Sequence, residues 1–434
     1  MKVAFILQPW ETIDTPFVGG VALPTVAYHL GRSLARAGNQ VLIYAKRGPG
    51  QAAIETDTAG IEYRRFALPL EEPFWSGCRR LEDVLDWGNR RRPLVTSPRF
   101  FCGLARRIAC DLRQQACDLV HLFTYPQLAT PIRRANPTLK IVLHMECEFL
   151  VRFDHARLSE QLRAVDRILG CSDFITEGVR RRFPFLAERC HTVFNGVDLE
   201  AFAPALPGVL RDTGEPAEKR LLYVGRISPE KGVHVLLEAF SEVLDQHPDA
   251  RLDLVGPVGL FPERLLPAVG DDRMASELAP FYGKGFGARL FRQWRRRQRL
   301  EAALWERLAK TARGRVVFHG FTPPAGLRTW YQRADVLVFP SVCNEAFGIP
   351  LIEAMSSGLA VVAARTGGIP EIVEDTRCGL LVRRGDRASL AEAICHLLGD
   401  RRRRLEMGAE GRRRAVERFG WERIHSTLKK AYGR

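Results

Sequence analysis

Short apolar runs alternate with amphipathic stretches along the whole chain. Val3 to Leu7 is continuously apolar and reads as a first buried strand. A glycine-containing loop, Phe17-Val18-Gly19-Gly20, leads into a helical pattern that reaches about Ala37. Gly38 and Asn39 stop it, and Gln40 to Ala45 is the next strand. Further strands are expected at Leu119–Phe123, Lys140–His144, Arg167–Cys171 and His191–Phe194. The rhythm restarts after a stretch rich in Pro, Gly and charge, with strands at Arg220–Val224, Arg251–Val255, Val316–His319, Val336–Phe339, Ala360–Ala364 and Leu380–Val382. Helices are expected between them at Val233–Leu244, Pro324–Gln332 and Ile369–Glu374, with a helical C-terminus. Strands alternating with helices imply parallel sheets covered on both faces.

This pattern divides the chain into an N-terminal domain, 1–205, a linker, 206–219, and a C-terminal domain, 220–420, with residues 421–434 expected to return to the first domain. Two α/β halves of this kind predict a ligand cleft between them, at the carboxyl ends of the strands. Two insertions interrupt the rhythm. Residues 64–101 lack clear periodicity and read as a long loop or short helices. Residues 257–313 carry a loose apolar stripe, Leu290, Phe291, Trp294, Leu300, Leu304 and Leu308, among arginines. The stripe has two readings: an extra helix packed on its domain, or a basic amphipathic helix on a membrane or lipid-linked acceptor.

Composition narrows the class. The 434 residues suffice for two large domains, and 46% hydrophobic with 26% charged residues is ordinary for a globular protein. No run approaches the roughly 18 apolar residues of a membrane span. Met1 to Leu7 is too short for a signal peptide. Ten cysteines occur without a C-x-x-C pair, which argues against a zinc site or disulfide framework and for a reducing cytoplasm. The formal charge of +15 is concentrated in arginine clusters at 90–92, 180–182, 295–297, 401–404 and 412–414. These read first as solvated faces and second as an attraction to anionic membrane. No nucleic-acid module accompanies them, so nucleic acid is not expected.

Candidate chemistry centres on residues 345–353, E-A-F-G-I-P-L-I-E. Glu345 is expected in the loop leaving the strand Val336–Phe339. Glu353 lies about two helical turns further on, with Pro350 in the first turn. Phe347, Gly348 and Ile349 would present backbone N–H groups at a helix N-terminus, a place for oxygen-rich anionic ligands. The combination suits a sugar better than a metal. Residues 225–232, G-R-I-S-P-E-K-G, bring Arg226 and Lys231 to a strand end, a fork and a point charge that suit a diphosphate. Gly19 and Gly20 allow close backbone approach to a ligand, or form a plain turn; they are not a G-x-G-x-x-G motif. His144 is either a satisfied structural residue or, facing the cleft, a partner for a substrate hydroxyl. Glu146 or Glu148 beside it would bind the acceptor or carry its proton. Gly367 and Gly368 precede a helix and are expected next to Glu345.

Together these stretches, with N-G-V-D-L-E-A-F at 195–202 and A-R-T-G-G-I-P-E-I-V at 364–373, resemble the retaining GT-B glycosyltransferases of family 4. The resemblance spans nearly the whole chain and is most specific from 320 to 385. It implies two Rossmann-like domains facing each other across a cleft. It also implies sugar transfer from a nucleotide diphosphate sugar with retention of configuration and no metal or other cofactor; the resemblance leaves the base open, with a UDP-sugar preferred here and GDP-mannose the alternative. In that family the glutamate matching Glu345 contacts the donor sugar, and the one matching Glu353 contacts the ribose. The residues matching Arg226 and Lys231 bind the diphosphate. The turn matching Gly19 and Gly20 approaches phosphate and acceptor, and the histidine matching His144 lies near the transferred sugar. The acceptor stays open among a growing polysaccharide, a lipid-linked sugar and a small metabolite. The rival expectations are a non-catalytic GT-B binding subunit and a GT-B sugar-nucleotide epimerase.

Overall fold

Fourteen strands form among the described residues: β1 Lys2–Ile6, β2 Gln40–Lys46, β3 Ile54–Thr56, β4 Ile61–Phe66, β5 Leu119–Phe123, β6 Lys140–Met145, β7 Arg167–Gly170, β8 Cys190–Thr192, β9 Lys219–Val224, β10 Ala250–Val255, β11 Val316–Gly320, β12 Val336–Phe339, β13 Ala360–Ala364 and β14 Leu380–Val382. The computed structural model describes all residues except 18, 20–21, 86–90, 206–217, 283–295, 309 and 434. Residues 1–195 and 421–434 form one unit, and 196–420 a second.

The first unit holds an eight-stranded sheet in the order β3-β4-β2-β1-β5-β6-β7-β8. All neighbours are parallel except β3 and β4. The uninterrupted apolar runs are explained by burial on both faces: β1 and β5 are buried almost throughout. The helix Ala22–Arg36 covers one face through Leu23, Val26, Ala27, Leu30 and Leu34, a spacing of three and four residues. The last helix, Trp421–Ala431, belongs to this unit. Its Trp421 ring stacks on His29 at 4.8 Å, and Ile424 and Leu428 are buried.

The second unit holds six parallel strands in the order β11-β10-β9-β12-β13-β14. Helices Val233–Gln246 and Arg387–Gly399 contribute Leu236, Leu237, Phe240, Ile394 and Leu397 to its core.

Several expectations change. The chain passes from the first unit to the second after Asn195, not 205. Phe202 lies edge-on to Tyr331 at 5.7 Å, and the Ser357 hydroxyl donates to the Phe202 carbonyl. The linker assignment at 206–217 lies outside the described residues, and Lys219 already belongs to β9. Within 64–101 the structure has the end of β4 and a 15-residue helix, Glu71–Leu85. In the 257–313 insertion, helix Arg296–Arg307 and the turn after it bury Leu300, Leu304 and Leu308 in the core, so this part packs on its own domain. Each such leucine stabilises by about 1.5–3 kcal/mol. Leu290, Phe291 and Trp294 lie outside the described residues. Parts of the arginine clusters tie elements together instead of facing solvent. Arg412 donates to the carbonyls of Leu199 and Ser356, Arg414 to those of Glu371 and Ile372, and Arg404 pairs with Asp335 at 3.0 Å. All ten cysteines are free thiols, and no described helix is long and apolar enough to cross a membrane.

Candidate functional site

The second sheet reverses its strand order between β9 and β12, which are neighbours. The loops leaving the carboxyl ends of two such strands diverge to opposite faces and open a ligand crevice there. The loop after β9 carries Arg226 and Lys231; the loop after β12 carries Glu345. Gly232 makes their approach possible. Its φ is +73°, and a Cβ there would lie 1.9 Å from the Pro340 carbonyl oxygen. Val342 and Cys343 donate their amides to the Glu230 carbonyl and stitch the loops together.

In this frame Lys231 Nζ reaches Glu345 Oε1 at 2.5 Å, and the Ser341 hydroxyl donates to the same oxygen at 2.7 Å. Burial pushes the Glu345 carboxyl up, but the Lys231 charge, its hydrogen bond and Ser341 together outweigh it and hold the group below its ordinary value. Burial pushes Lys231 down, and the Glu345 charge outweighs that too. The pair is thus ionised, with one of three ammonium donors used and two left to a ligand. From behind, Gly368 N–H donates to the Glu345 carbonyl at 2.7 Å, and the Thr366 hydroxyl donates to the Cys343 carbonyl. The expected double-glycine turn therefore braces the Glu345 backbone. Gly367, with φ +54°, would place a Cβ 2.0 Å from the same carbonyl oxygen.

Arg226 has partners of its own, while its charge also acts on Lys231. Its guanidinium pairs with Glu230 at 3.1 Å and lies over the Phe261 ring at 5.0 Å. Glu230 is buried and also accepts from Ser228 at 2.7 Å. Arg226 Nε and Glu230 Oε2 make no hydrogen bond. Glu230 stands inside the G-R-I-S-P-E-K-G stretch, and its part in aiming Arg226 is a role the sequence reading passed over.

Gly348, at φ +124°, precedes the helix Ile349–Ser356, whose first turn contains Pro350 and has no side-chain cap. Phe347 is buried edge-on to Phe419 at 5.8 Å, so its ring serves the core. Glu353 accepts from the buried Tyr331 hydroxyl at 2.6 Å, a partner the sequence did not suggest. Burial pushes the Glu353 carboxyl up to about 7, with the Tyr331 bond pulling against it. A carboxyl whose folded value is raised binds more protons when folded. Its contribution to stability is full below about 4.5 and is lost as pH rises towards about 7. Thermal unfolding of E353Q against wild type should therefore show the difference in melting temperature changing through that window. A pH-independent difference would mean Glu353 is not raised.

In the first unit, Gly19 has φ +80°, as a tight turn requires; Gly20 lies outside the described residues. His144, at the end of β6, is fully buried. Burial pushes it down to about 3, so it is neutral at ordinary pH. Its Nδ1 lies 3.1 Å from Nε2 of the buried His121 on β5. Its Nε2 lies 3.5 Å from Glu146 Oε1, too long for a good hydrogen bond, and has no other hydrogen-bond partner. Glu146 Oε2 accepts from Asn195 Nδ2 at 2.8 Å, while Glu146 Oε1 and Asn195 Oδ1 are without partners. Burial pushes Glu146 up to about 7, with Asn195 and Cys171 pulling against it. Glu11, in the loop after β1, is raised to about 7 by burial, with the Gln8 amide opposing and the Glu146 charge adding. The sheet also reverses between β1 and β5, so a carboxylate in the loop after β1 was findable from topology. Glu148 is engaged by Arg152 at 2.8 Å and does not join this cluster.

Residues 211–414 match the family described as Glycosyl transferases group 1, and residues 18–201 match Glycosyltransferase Family 4. Alpha-maltose-1-phosphate synthase of Mycolicibacterium smegmatis is 31% identical over 275 residues, 61% of this chain and 62% of that protein. The chain thus spans under two thirds of that relative's length. The sucrose-phosphate synthase from Thermosynechococcus elongatus has a TM-score of 0.73 and 23% identity, covering 100% of this chain and 98% of its own. Anabaena Alr3699/HepE, solved in complex with UDP and glucose, has a TM-score of 0.66 and 19% identity, covering 100% and 99%. At these identities the structural likeness shows the fold.

Proposed function

Because the chain belongs to the group 1, family 4 glycosyltransferases and has their two-domain GT-B fold, we propose that it moves a sugar from a nucleoside diphosphate sugar to a hydroxyl acceptor with retention of configuration. The Lys231–Glu345 pair at the β9–β12 switch point carries this reading. It offers ammonium donors to a diphosphate and a carboxylate to sugar hydroxyls within one crevice. Glu345 Oε2 accepts from the sugar, and Glu353 accepts from the ribose once Tyr331 shares it. Arg226 supplies a second cation to the diphosphate from its place on Glu230. The first-turn amides at Gly348 and Ile349 add oriented donors. His144 and Glu146 serve the sugar and the acceptor from the first unit. A uridine diphosphate donor is favoured by analogy with Alr3699/HepE, whose structure holds UDP. The ten free thiols favour a reducing, cytoplasmic setting.

In the step itself the anomeric carbon–phosphate oxygen bond breaks while the acceptor oxygen bonds the same face. The acceptor proton passes to the departing phosphate oxygen. Fixed cations in place before the charge develops lower this barrier. Retention requires the product anomer to match the donor, which NMR of the product reads; an inverted anomer overturns the front-face route.

Glu345→Ala should weaken binding of the nucleotide-sugar about tenfold more than that of the free nucleotide, the worth of about one hydrogen bond to a charged group. Calorimetry with both ligands checks this. Equal losses would take Glu345 away from the sugar.

A further inference from the structure

A buried run of hydrogen-bonding groups joins the last turn of the chain to His144. The Tyr432 hydroxyl lies 2.7 Å from His121 Nδ1, His121 Nε2 lies 3.1 Å from His144 Nδ1, and His144 Nε2 is aimed at Glu146, which Asn195 holds from its other oxygen. Tyr432, His121 and His144 are each at most 2% exposed. Strand register brings the histidines together: His121 stands opposite Val142, and His144 is two residues further along β6 on the same face. Tyr432 is held in turn, since its amide donates to the Leu428 carbonyl and its own carbonyl accepts from Lys140 Nζ.

Such a run has a direction, because each neutral imidazole has one donor and one acceptor. The far end sets it. Beside His144 Nε2 stands Glu146 Oε1 at 3.5 Å, an oxygen with no hydrogen-bond partner. An open acceptor on that side calls for the proton on Nε2. His144 Nδ1 is then an acceptor, His121 Nε2 carries a proton, and His121 Nδ1 accepts in turn. Tyr432 has the one group that can donate to it. Burial pushes the Tyr432 hydroxyl well up, so it remains a phenol with its proton.

We propose that Tyr432 and His121 are positioning residues that fix the tautomer of His144, holding its proton on Nε2. The chain's final turn thereby takes part in the site without touching substrate. This rests on the reading of His144 as the group that serves the transferred sugar. The pattern generalises the logic of catalytic triads, in which a buried partner sets which imidazole nitrogen is protonated.

The test uses the full chain with 15N-labelled histidine, assigned by H121Q and H144Q. In wild type, His144 should show the Nε2–H pattern. In Tyr432→Phe, which keeps the ring and removes one donor, His144 and His121 should shift to a mixture of tautomers. The rate kcat should fall roughly fivefold to tenfold, the scale of one hydrogen bond, with donor KM nearly unchanged. A His144 protonated on Nδ1 in wild type overturns the relay, whatever the variants do. So does an unchanged tautomer in Tyr432→Phe. Should His144→Gln leave transfer intact while the tautomers respond as expected, the relay stands and the reading of His144 as a site residue fails. Equal losses of kcat in Tyr432→Phe and Leu428→Ala, with no tautomer change in either, would assign Tyr432 to packing alone.

Discussion

Lys231→Ala is expected to lower sugar transfer about 100-fold or more, the scale of removing one preorganised charge from a developing anion. The structure adds a second effect. Lys231 and Glu345 meet at 2.5 Å with side chains 24% and 10% exposed. Removing the lysine strands a carboxylate in a site that burial already disfavours. Breaking such a pair costs about 3–5 kcal/mol, more than the pair contributes against apolar substitutes. The two losses separate experimentally. Lys231→Met combined with Glu345→Gln removes both charges and should recover most of the stability in urea unfolding while transfer stays low. Near-normal turnover in a folded Lys231→Ala would remove the lysine from the diphosphate. A urea midpoint like that of wild type would mean that the site tolerates the bare carboxylate.

Gly232→Ala should be among the most destabilising small changes in the second unit. The backbone there has φ +73°, which costs a non-glycine residue about 1–2 kcal/mol. The added Cβ would also fall 1.9 Å from the Pro340 carbonyl oxygen, a main-chain atom that cannot swing aside. Forcing the loops apart raises the cost to about 3 kcal/mol or more. Gly385 is the matched control: its φ is also +73°, yet nothing lies within 4 Å of the added carbon. Gly385→Ala should therefore lose the backbone part alone. Similar denaturation midpoints for the two variants would refute the steric account. Because Gly232 directly follows Lys231, its alanine variant should also lose transfer more steeply than stability, measured at temperatures where it is still folded.

The central strands were legible because parallel strands covered on both faces read as unbroken apolar runs, as in Val336–Phe339 and Ala360–Ala364. β4 was missed because Ile61, Tyr63 and Arg65 face inward while Glu62 and Arg64 interrupt the run, the pattern of a strand near the sheet edge. Arg65 is an inward arginine held by the Ile13 carbonyl and Glu55, which no periodicity announces. Helix Glu71–Leu85 was hidden by Pro73 and Gly77 within it. At the site, Lys231 and Glu345 were readable because each lies in a loop directly after an obvious strand. Tyr331, Glu230, Ser341, His121 and Tyr432 were not. Each acts through a partner that the fold brings near, and Tyr432 stands 311 positions from His121. A side chain's type shows what bonds it can make; the fold decides with whom.

The first unit is discontinuous along the chain: it is left at Asn195 and completed by Trp421–Arg434. On a ribosome adding roughly 5–20 residues per second, the 225 residues from 196 to 420 take about 11–45 s to make. Through that interval the nascent first unit has no Trp421 to cover His29 and no Tyr432 hydroxyl for the buried His121. The second unit, encoded without interruption, can finish folding before the first unit receives its last helix. The segment that closes the His121–His144 pair is therefore made only after the whole second unit, and a chain stopped short of residue 421 has a complete second unit and an unfinished first one.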